Sequence, residues 1–295
     1  MAEGPTGSTV PRRQLGRNLR DLRNRARLTV RAAAAKLEWS EAKMWRIETG
    51  QTSLRSLDVQ AMCQVYGAPS DLTDALMGLA KETKARGWWH AYGDVIPEGF
   101  DVFVGLEEAA ESVSVYESDI VPGLLQTDGY AREIIRTHIR GIDDGDLDGR
   151  VSLRIKRQAA LTRPTVPLEL RVVLGEAALR RPVGSHEAMA QQLAHLVYVA
   201  RLPNVSIRVV PFAAGMHSGV VTGPFNILRF PLAGDGNATE PPTIYADGYT
   251  GGLYLDKERE VAQFDAAFGD IWKRALDEQA SRRLISEVAG SYEQG

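Results

Sequence analysis

The side chains best suited to contacting a nucleic acid lie between residues 40 and 51. A helix that begins after Ser40 would turn Met44 and Ile47 toward a core, since the two are three positions apart. The outward side of its first turns would meet base edges in a DNA groove. The residues expected there are Glu41, Ala42, Lys43 and Trp45.

Other residues of the same region are better suited to phosphate, which positions a protein on DNA without reading its sequence. Ser40 and Arg46 fit this role, and Arg12 and Arg13 are expected on a flexible arm that could reach the backbone or the minor groove. A merely solvated role is an alternative for each arginine. Glu48 would repel phosphate and is expected to pair with an arginine of the first helix. The candidate DNA-contacting residues are Arg12, Arg13, Arg31, Ser40, Glu41, Ala42, Lys43, Trp45, Arg46, Gln51 and Arg55.

The charge of the chain is unevenly distributed. The whole sequence of 295 residues carries a formal net charge of −3. Residues 1–68 hold 12 Lys and Arg against 6 Asp and Glu, whereas residues 69–295 hold 23 against 32. This asymmetry indicates a basic binding module joined to an acidic body, and a solvated basic surface without a partner is the alternative.

Five helices are predicted in the basic part. Apolar residues recur at helical spacing from Leu15 to Ala26, and Thr29 and Ser40 are good N-caps for the second and third helices. A fourth helix from about Ser56 to Tyr66 is expected to bury Leu57, Ala61, Met62 and Val65. Its stop at Gly67 is followed by a fifth helix from residue 71 to about residue 80. Short helices joined by a tight turn predict a helix-turn-helix unit.

The identities of these residues carry a family resemblance over nearly all of residues 12–68. Leu28-Thr29, Ala34, Leu37, Trp39-Ser40 and the run Arg46-Ile47-Glu48-Thr49-Gly50 resemble the Cro/XRE-type helix-turn-helix. The chain departs from that pattern in four places. Val30 replaces a common Gln, Trp45 replaces a small polar residue, Gln51 replaces a basic residue, and Glu38 replaces a Gly and is expected to need a different turn conformation.

The domain boundaries follow from composition. We expect a flexible arm at residues 1–11, a helix-turn-helix domain at 12–80, an aromatic connector at 81–100 and an α+β domain with a small mixed sheet at 101–290. In the last domain, helices are predicted at 103–120, 124–139, 151–161, 187–201, 261–268 and 271–288. Strands are predicted at 168–174, 205–210, 225–230 and 243–246.

A second resemblance covers about residues 100–285. The segments Val121-Pro122-Gly123-Leu124-Leu125-Gln126-Thr127 and Tyr130-Ala131-Arg132, followed by Arg154, Arg157-Gln158 and Arg208-Val209-Val210-Pro211-Phe212, look like the C-terminal domain of WhiJ-like, antitoxin-like regulators. The resemblance implies a transcriptional regulator whose C-terminal domain binds a small protein encoded by an adjacent gene. It lends no catalytic residues.

Motifs for other chemistry are incomplete. Asp144, Asp146 and Asp148 match the opening of a calcium loop, but Ile155 stands where the closing Glu belongs, so an exposed acidic loop is expected. The scattered histidines and the single cysteine, Cys63, argue against zinc. No phosphate-binding loop or nucleophile elbow is present. We therefore expect no cofactor, no metal and no enzymatic activity. Without an apolar stretch long enough for a membrane span, or a secretory signal, a cytoplasmic location is the default.

Three functions are compared on this basis. The leading hypothesis is a dimeric, sequence-specific DNA-binding transcriptional regulator, since one such module buries too little surface to bind a site specifically. The alternative is an antitoxin-like interaction protein that neutralises a small partner protein. An enzyme within residues 100–285 is the third reading, and it has no motif in its favour.

Overall fold

A computed structural model of the chain describes residues 9–83, 87–97, 100–232, 238–249 and 251–293. The chain divides into two compact units, one ending at residue 93 with residues 97–109 added, the other made of 94–96 and everything from residue 110. The first is helical and the second combines helices with a sheet. This is the predicted fold class.

The described residues of the helical unit form the five predicted helices and one more. The first helix contacts the third to the sixth, the second contacts the third and fourth, and the fourth packs on the fifth. The helices are α1 (Thr9–Arg25), α2 (Val30–Leu37), α3 (Glu41–Glu48), α4 (Ser56–Tyr66), α5 (Ser70–Glu82) and α6 (Phe100–Ala109), with a 3₁₀ turn at Trp88–Tyr92.

The core of the helical unit is built from the apolar side chains of α1 to α5. It contains Leu15, Leu19, Leu22, Ala33, Ala34, Met44, Ile47, Leu54, Val59, Met62, Cys63, Tyr66, Leu76 and Ala80. Cys63 is buried among them, as expected of an inert core thiol. The prediction for Leu57 is wrong, because Val59 turns inward instead and leaves the Leu57 side chain 70% exposed.

The start of α1 corrects the expected flexible arm. The helix begins at Thr9 and places Pro11 in its first turn, where the missing N–H of proline costs nothing. Residues 9–11 are therefore helical, and residues 1–8 lie outside the described part of the chain. The helices α1 and α6 pack against each other. Gly105 lies so close to Thr9 that a side chain there would collide with it, and the Arg12 guanidinium is 3.7 Å from the Asp101 carboxylate.

The described residues of the aromatic connector also pack within the helical unit. Trp89 is 1% exposed and stands edge-on to Trp88, with 6.0 Å between the ring centroids. The indole N–H of Trp88 donates a hydrogen bond of 3.1 Å to Glu108 in α6. Because residues 97–109 cluster with the helical unit, the observed division lies at residue 110, further along the chain than composition suggested.

The second unit is organised around one six-stranded mixed sheet. Its strands are β1 (Ser112–Glu117), β2 (Glu169–Gly175), β3 (Val205–Val210), β4 (Phe225–Arg229), β5 (Thr243–Gly248) and β6 (Gly251–Leu255). The order across the sheet is β3-β2-β1-β4-β5-β6. The first three strands are parallel, and β4, β5 and β6 are each antiparallel to the strand before them in that order.

Two elements of this sheet were not predicted. The helix predicted at 103–120 is wrong in its second half, because residues 112–117 form the central strand β1. Its sequence alternates Ser and Val before Tyr116, which suits a pleated strand buried by neighbours on both sides. The edge strand β6 was also missed, since its two leading glycines give no strand signal.

In the part of the second unit that the structure describes, seven helices connect and cover these strands. They are α7 (Asp128–His138), α8 (Asp144–Arg157), α9 (Glu176–Arg180), α10 (His186–Val199), α11 (Ser218–Thr222), α12 (Glu258–Arg274) and α13 (Glu278–Glu293), with 3₁₀ turns at Gly123–Leu125, Gln158–Thr162 and Phe212–Ala214. The predicted acidic loop is wrong. Asp143 caps α8, so Asp144, Asp146 and Asp148 lie in its first turns, where negative charge is favoured.

The last two helices cover one face and one edge of the sheet. Val261, Phe268 and Ile271 of α12 pack on the face that carries Val173 of β2 and Ile227 of β4. The break between the helices falls at residues 275–277, later than predicted. There, the N–H of Leu276 donates to the carbonyl of Val209, and the N–H of Val209 donates to Ser281 Oγ. The backbone N–H and carbonyl of Val209, on the free edge of β3, are thereby both satisfied.

Candidate nucleic-acid interface

The helix α3 is amphipathic in the way that its sequence predicts. Met44 is fully buried and Ile47 is 1% exposed, so these two side chains fix the helix in the core. The α2 and α1 helices both pack against it. The opposite side of α3 faces solvent, which leaves a complete helical face free to enter a groove.

The turn between α2 and α3 is three residues long and begins with a left-handed residue. Glu38 has φ 56° and ψ 37°, and the N–H of Trp39 donates to the carbonyl of Ala34 over 2.9 Å. The chain therefore adopts the turn for which glycine is favoured, and the expectation of a different conformation is wrong. Ser40 then caps α3, because its hydroxyl oxygen accepts a 3.1 Å hydrogen bond from the N–H of Lys43.

A buried ion pair holds α3 against α1. Arg23 donates from Nε and Nη2 to the two carboxylate oxygens of Glu48 over 2.6 and 2.8 Å, and from Nη1 to the carbonyl of Leu28 over 2.8 Å. The Glu48 carboxylate raises the pKa of Arg23. The predicted pairing of Glu48 with an arginine of the first helix is confirmed, and this carboxylate is turned away from any DNA.

Two glycines allow α1 to approach the end of α3 closely. A side chain on Gly16 would collide with the carbonyl oxygen of Ile47. Gly50 has φ 73°, and a Cβ there would stand 2.7 Å from the Cα of Arg13. Ile47, Glu48 and Gly50 therefore each have a structural role. The Thr49 hydroxyl donates back to the carbonyl of Trp45 over 2.8 Å.

The solvent face of α3 carries cationic side chains and the indole ring of Trp45. Trp45 is 57% exposed, and Glu41, Ala42 and Arg46 are exposed as well. The Lys43 ammonium lies 3.5 Å from the centroid of the Trp39 ring, a cation–π contact that holds the lysine on the α3 surface. The helix N-terminus adds partial positive charge next to these groups.

Sequence reasoning missed the role of Trp39 in placing Lys43. The signal that could have found it is the spacing of four between an aromatic and a cationic residue. The other predicted DNA-contacting residues differ in their exposure to solvent and in their hydrogen bonds. Arg31 is exposed at the start of α2, and Gln51 is partly buried directly after α3. Arg55 is exposed and donates to both carboxylate oxygens of Asp58, which lowers the pKa of Asp58.

The two arginines expected on a flexible arm are placed differently. Arg12 is 8% exposed and Arg13 is 6% exposed, and both lie in α1. Arg12 donates to Thr9 Oγ1 over 3.3 Å and lies beside Asp101. Burial lowers the pKa of Arg12 despite this carboxylate. The arm prediction is wrong for these residues, because the first turns of α1 pack against α6.

The residues of the motif at 121–127 in the second unit hold an irregular segment in place through hydrogen bonds. After β1, Gln126 donates to the carbonyl of Val121 over 2.6 Å and accepts from Arg154 over 2.6 Å. Gln192 of α10, fully buried, accepts from the N–H of Thr127 over 2.7 Å and donates to the carbonyl of Leu125. These side-chain amides replace the backbone partners that an irregular buried segment lacks.

Ion pairs also hold α7, the helix that carries the Tyr130-Ala131-Arg132 motif. Arg132 of α7 donates to Asp128 over 2.7 Å and to Asp148 of α8 over 2.6 Å. The acidic run of α8 is thus partly neutralised by an arginine. Among the described residues, no group of three or more His, Cys, Asp or Glu side chains could hold a metal ion.

One carboxylate of the second unit has an unusual environment. Glu117, the last residue of β1, is half-buried near Asp247 and Asp119. Burial, followed by the charges of these two aspartates, raises the pKa of Glu117 to about 8. The group is therefore largely protonated at neutral pH.

Models of known protein families match residues of both units. A model described as a domain of unknown function (DUF5753) matches residues 100–287, well over half of the chain. The chain belongs to the DUF5753 family. In this DUF5753 protein, a model described as a helix-turn-helix domain also matches residues 14–76, which contain α2, α3 and their turn. No curated protein and no solved structure matches the chain.

The helix-turn-helix match indicates a DNA-binding regulator of transcription. It covers the face of α3 described above and leaves Arg12 and Arg13 outside its bounds. Within the described residues of this DUF5753 protein, no helix is long and apolar enough to span a membrane.

Proposed function

We propose that the chain is a sequence-specific DNA-binding transcriptional regulator whose C-terminal domain senses a small molecule or a partner protein. The observation that carries the DNA-binding part is the solvent face of α3, where Lys43, Trp45 and Arg46 are presented by a helix that a buried ion pair fixes in place. The helix-turn-helix match supports it. In the Cro/XRE-type arrangement, this helix enters the major groove.

Each exposed group then has a chemical task. Arg46 and the Ser40 hydroxyl, which still has a proton to donate, would bind phosphate oxygens. Lys43, held by Trp39, reaches guanine or phosphate, and the Trp45 indole packs on a sugar or on a thymine methyl group. Glu41 accepts from an amino group of cytosine or rejects a wrong base. Arg31 adds a phosphate contact from the start of α2.

Binding to a mixed-sequence duplex at several salt concentrations tests this assignment. We expect the full chain to bind at low salt, with an affinity that falls steeply as salt rises because counterions are released. The double variant Lys43→Ala/Arg46→Ala should bind at least tenfold more weakly at low salt. Its salt slope should be smaller by about 1 to 2, since each phosphate contact contributes about 1.

A matched control removes the same charge from the other unit. Arg259→Ala/Lys273→Ala takes two exposed cations from α12, where neither side chain has an ion pair among the described residues. It should bind within twofold of the wild type. If the wild-type chain bound no duplex at low salt, or if both double variants weakened equally, α3 would not be the contact surface.

We further propose that the regulator is a homodimer of the Cro/XRE type, with a WhiJ-like C-terminal domain. A single module contacts one half-site, and two copies are needed to reach specific affinity. Light scattering of the free chain and of its DNA complex tests this. Two copies per duplex are expected, and one copy per saturated duplex would contradict dimeric binding.

A second candidate function is antitoxin-like binding of a small protein encoded by an adjacent gene. It is favoured by one observation, a run of exposed apolar side chains on the β3–β4 connection in an acidic domain. Phe212, Met216, Val220 and Val221 are each more than half exposed. Co-expression with the neighbouring gene product tests it. Val221→Asp should abolish co-purification, whereas Lys43→Ala/Arg46→Ala should leave it intact.

The proposal assigns no catalytic step to either unit. Activity profiling of the purified chain against hydrolase and transferase substrates checks this part, and turnover lost on mutation within residues 110–287 would contradict it. Loss of DNA binding and loss of co-purification by one and the same α3 variant would show that the two functions are not separable.

A further inference from the structure

Two arginines of the second unit stack on one tryptophan. Arg171 of β2 has its guanidinium carbon 4.2 Å from the centroid of the Trp272 ring, and Arg208 of β3 has its own at 4.1 Å. The two guanidinium carbons therefore lie no farther apart than the sum of these distances. All three side chains are partly exposed.

The sheet register explains why these residues meet. Arg171 lies opposite Ser206 and Arg208 lies opposite Val173, so the two arginines are diagonal neighbours on one face of the parallel pair. This is the face that α12 covers. Trp272 lies one turn after Phe268, on which Arg171 also stacks at 5.5 Å. The helix thus places an aromatic surface directly over two cations.

Neither guanidinium has a carboxylate partner among the described residues, although acids outnumber bases in this part of the chain. The Nε of Arg208 is buried and makes no hydrogen bond. The carboxylate of Glu278 accepts a hydrogen bond of 2.5 Å from Ser206, the residue opposite Arg171, and Asp265 of α12 pairs with Arg229.

Half-buried charges without a counterion are costly, and two like charges close together add repulsion. Contact with the face of an indole offsets part of this cost and also holds the guanidinium planes in fixed positions. Fixed, unpaired guanidinium groups bind oxyanions well, because each offers two parallel N–H donors.

We propose that Arg171, Arg208 and Trp272 form a binding site for an oxyanion group of a small molecule, a phosphate or a carboxylate. The anion accepts hydrogen bonds from the N–H groups of these guanidinium planes and offsets their charge. Because the cations come from two strands and the indole from α12, binding ties this helix to the sheet. This inference deepens the sensing role proposed above, and it is tested without DNA, so that its failure is distinct from failure of DNA binding.

Calorimetric titration of the full chain with inorganic phosphate and, separately, with citrate tests the site. Both titrations are run at constant ionic strength with chloride as the balancing anion. We expect saturable binding of at least one of the two anions with one site per chain, and the stronger of the two identifies the oxyanion class. Arg171→Gln and Arg208→Gln should each weaken that binding at least tenfold.

Arg201→Gln is the matched control, because Arg201 is exposed after α10 and has no ion pair among the described residues. It should bind within twofold of the wild type. Tryptophan fluorescence gives a second readout. The anion should change the emission of the wild type, and this change should be lost in Trp272→Phe, while the other four tryptophans are unaffected.

Thermal melting establishes that each variant folds. If Arg208→Gln does not fold, Arg208→Lys replaces it, which keeps the charge but loses the paired donors and should still weaken binding several-fold. Absence of saturable binding of both anions at millimolar concentration would overturn the proposal. Equal weakening by Arg201→Gln, or unchanged binding in both Arg171→Gln and Arg208→Gln, would overturn it as well.

Discussion

The ion pair between Arg23 and Glu48 gives the sharpest test of how the helix-turn-helix is held together. The side chains are 9% and 6% exposed and the pair is bidentate, so replacing one partner leaves the other as a buried charge without a counterion. Removal of one member of such a pair costs about 3–5 kcal/mol. Arg23→Met also removes the hydrogen bond to the Leu28 carbonyl, and it should therefore be the more costly change.

The double variant Arg23→Met/Glu48→Met should be more stable than either single variant. It replaces both charges by apolar side chains of similar length, and such replacements of buried pairs are often close to neutral. A thermodynamic cycle over the four proteins then gives a coupling of about 2 kcal/mol or more. Arg55→Ala is the control, since it breaks an exposed pair and should cause no measurable change.

Hydrogen exchange of the full chain, followed by mass spectrometry of peptides from α1 and α3, measures these effects in the helical unit alone. The protected amides of both helices report its opening free energy. The reasoning fails if either single variant loses less than about 1 kcal/mol, or if the two losses simply add, because then the pair would not be what fixes α3.

Three further predictions use the same measurements. Glu38→Gly should stabilise the helical unit by about 1 kcal/mol in hydrogen exchange, since glycine has no steric cost at φ 56°, and a loss of stability would contradict the observed turn. Gly16→Ala should destabilise the same unit by about 1–3 kcal/mol through its collision with α3, whereas Gly78→Ala, which meets no atom, should not. Glu117 has a pKa of about 8 in the folded chain, above its unfolded value, so the folded state binds more protons and stability should fall between pH 5 and 8, by at most about 1.4 kcal/mol per pH unit. Glu117→Gln should remove this slope from the denaturation midpoints of the second unit, and an unchanged slope would assign it to another group.

The interface helix could be predicted because its determinants are local. Ser40 caps α3, Met44 and Ile47 share one face, and the resemblance of residues 46–50 limits the partners of Glu48. The same holds for Thr29 and the start of α2. Such signals need only three or four neighbouring residues, and tertiary packing does not override them here.

The wrong predictions lie where contacts between residues far apart in the sequence determine the structure. Apolar residues at helical spacing continue through Val113 and Tyr116, but hydrogen bonds to β2 and β4 on both sides make this segment a strand. The burial of Arg12 depends on α6, about ninety residues away. The stacking of Arg171 and Arg208 on Trp272 depends on strand register, which no local pattern encodes.

The left-handed Glu38 shows a different limit. Its residue type argues against the turn, since a side chain with a Cβ pays about 1–2 kcal/mol in that conformation. The packing of the flanking helices offsets the free-energy cost of this conformation. The hydrogen bond from the N–H of Trp39 to the carbonyl of Ala34 and the burial of Ala33 fix the relative positions of the two helices. A single unfavourable residue therefore does not abolish a turn whose two helices are otherwise well specified.

Selection of binding sites from a random duplex library tests the central claim most directly. The full-length wild-type chain and the Lys43→Ala/Arg46→Ala variant would be taken through the same rounds, with Arg259→Ala/Lys273→Ala as the control. We predict that the wild type and the control enrich one shared sequence motif and that the α3 variant enriches none. Absence of any enriched motif with the wild type, or the same motif with the α3 variant, would contradict sequence reading by this helix.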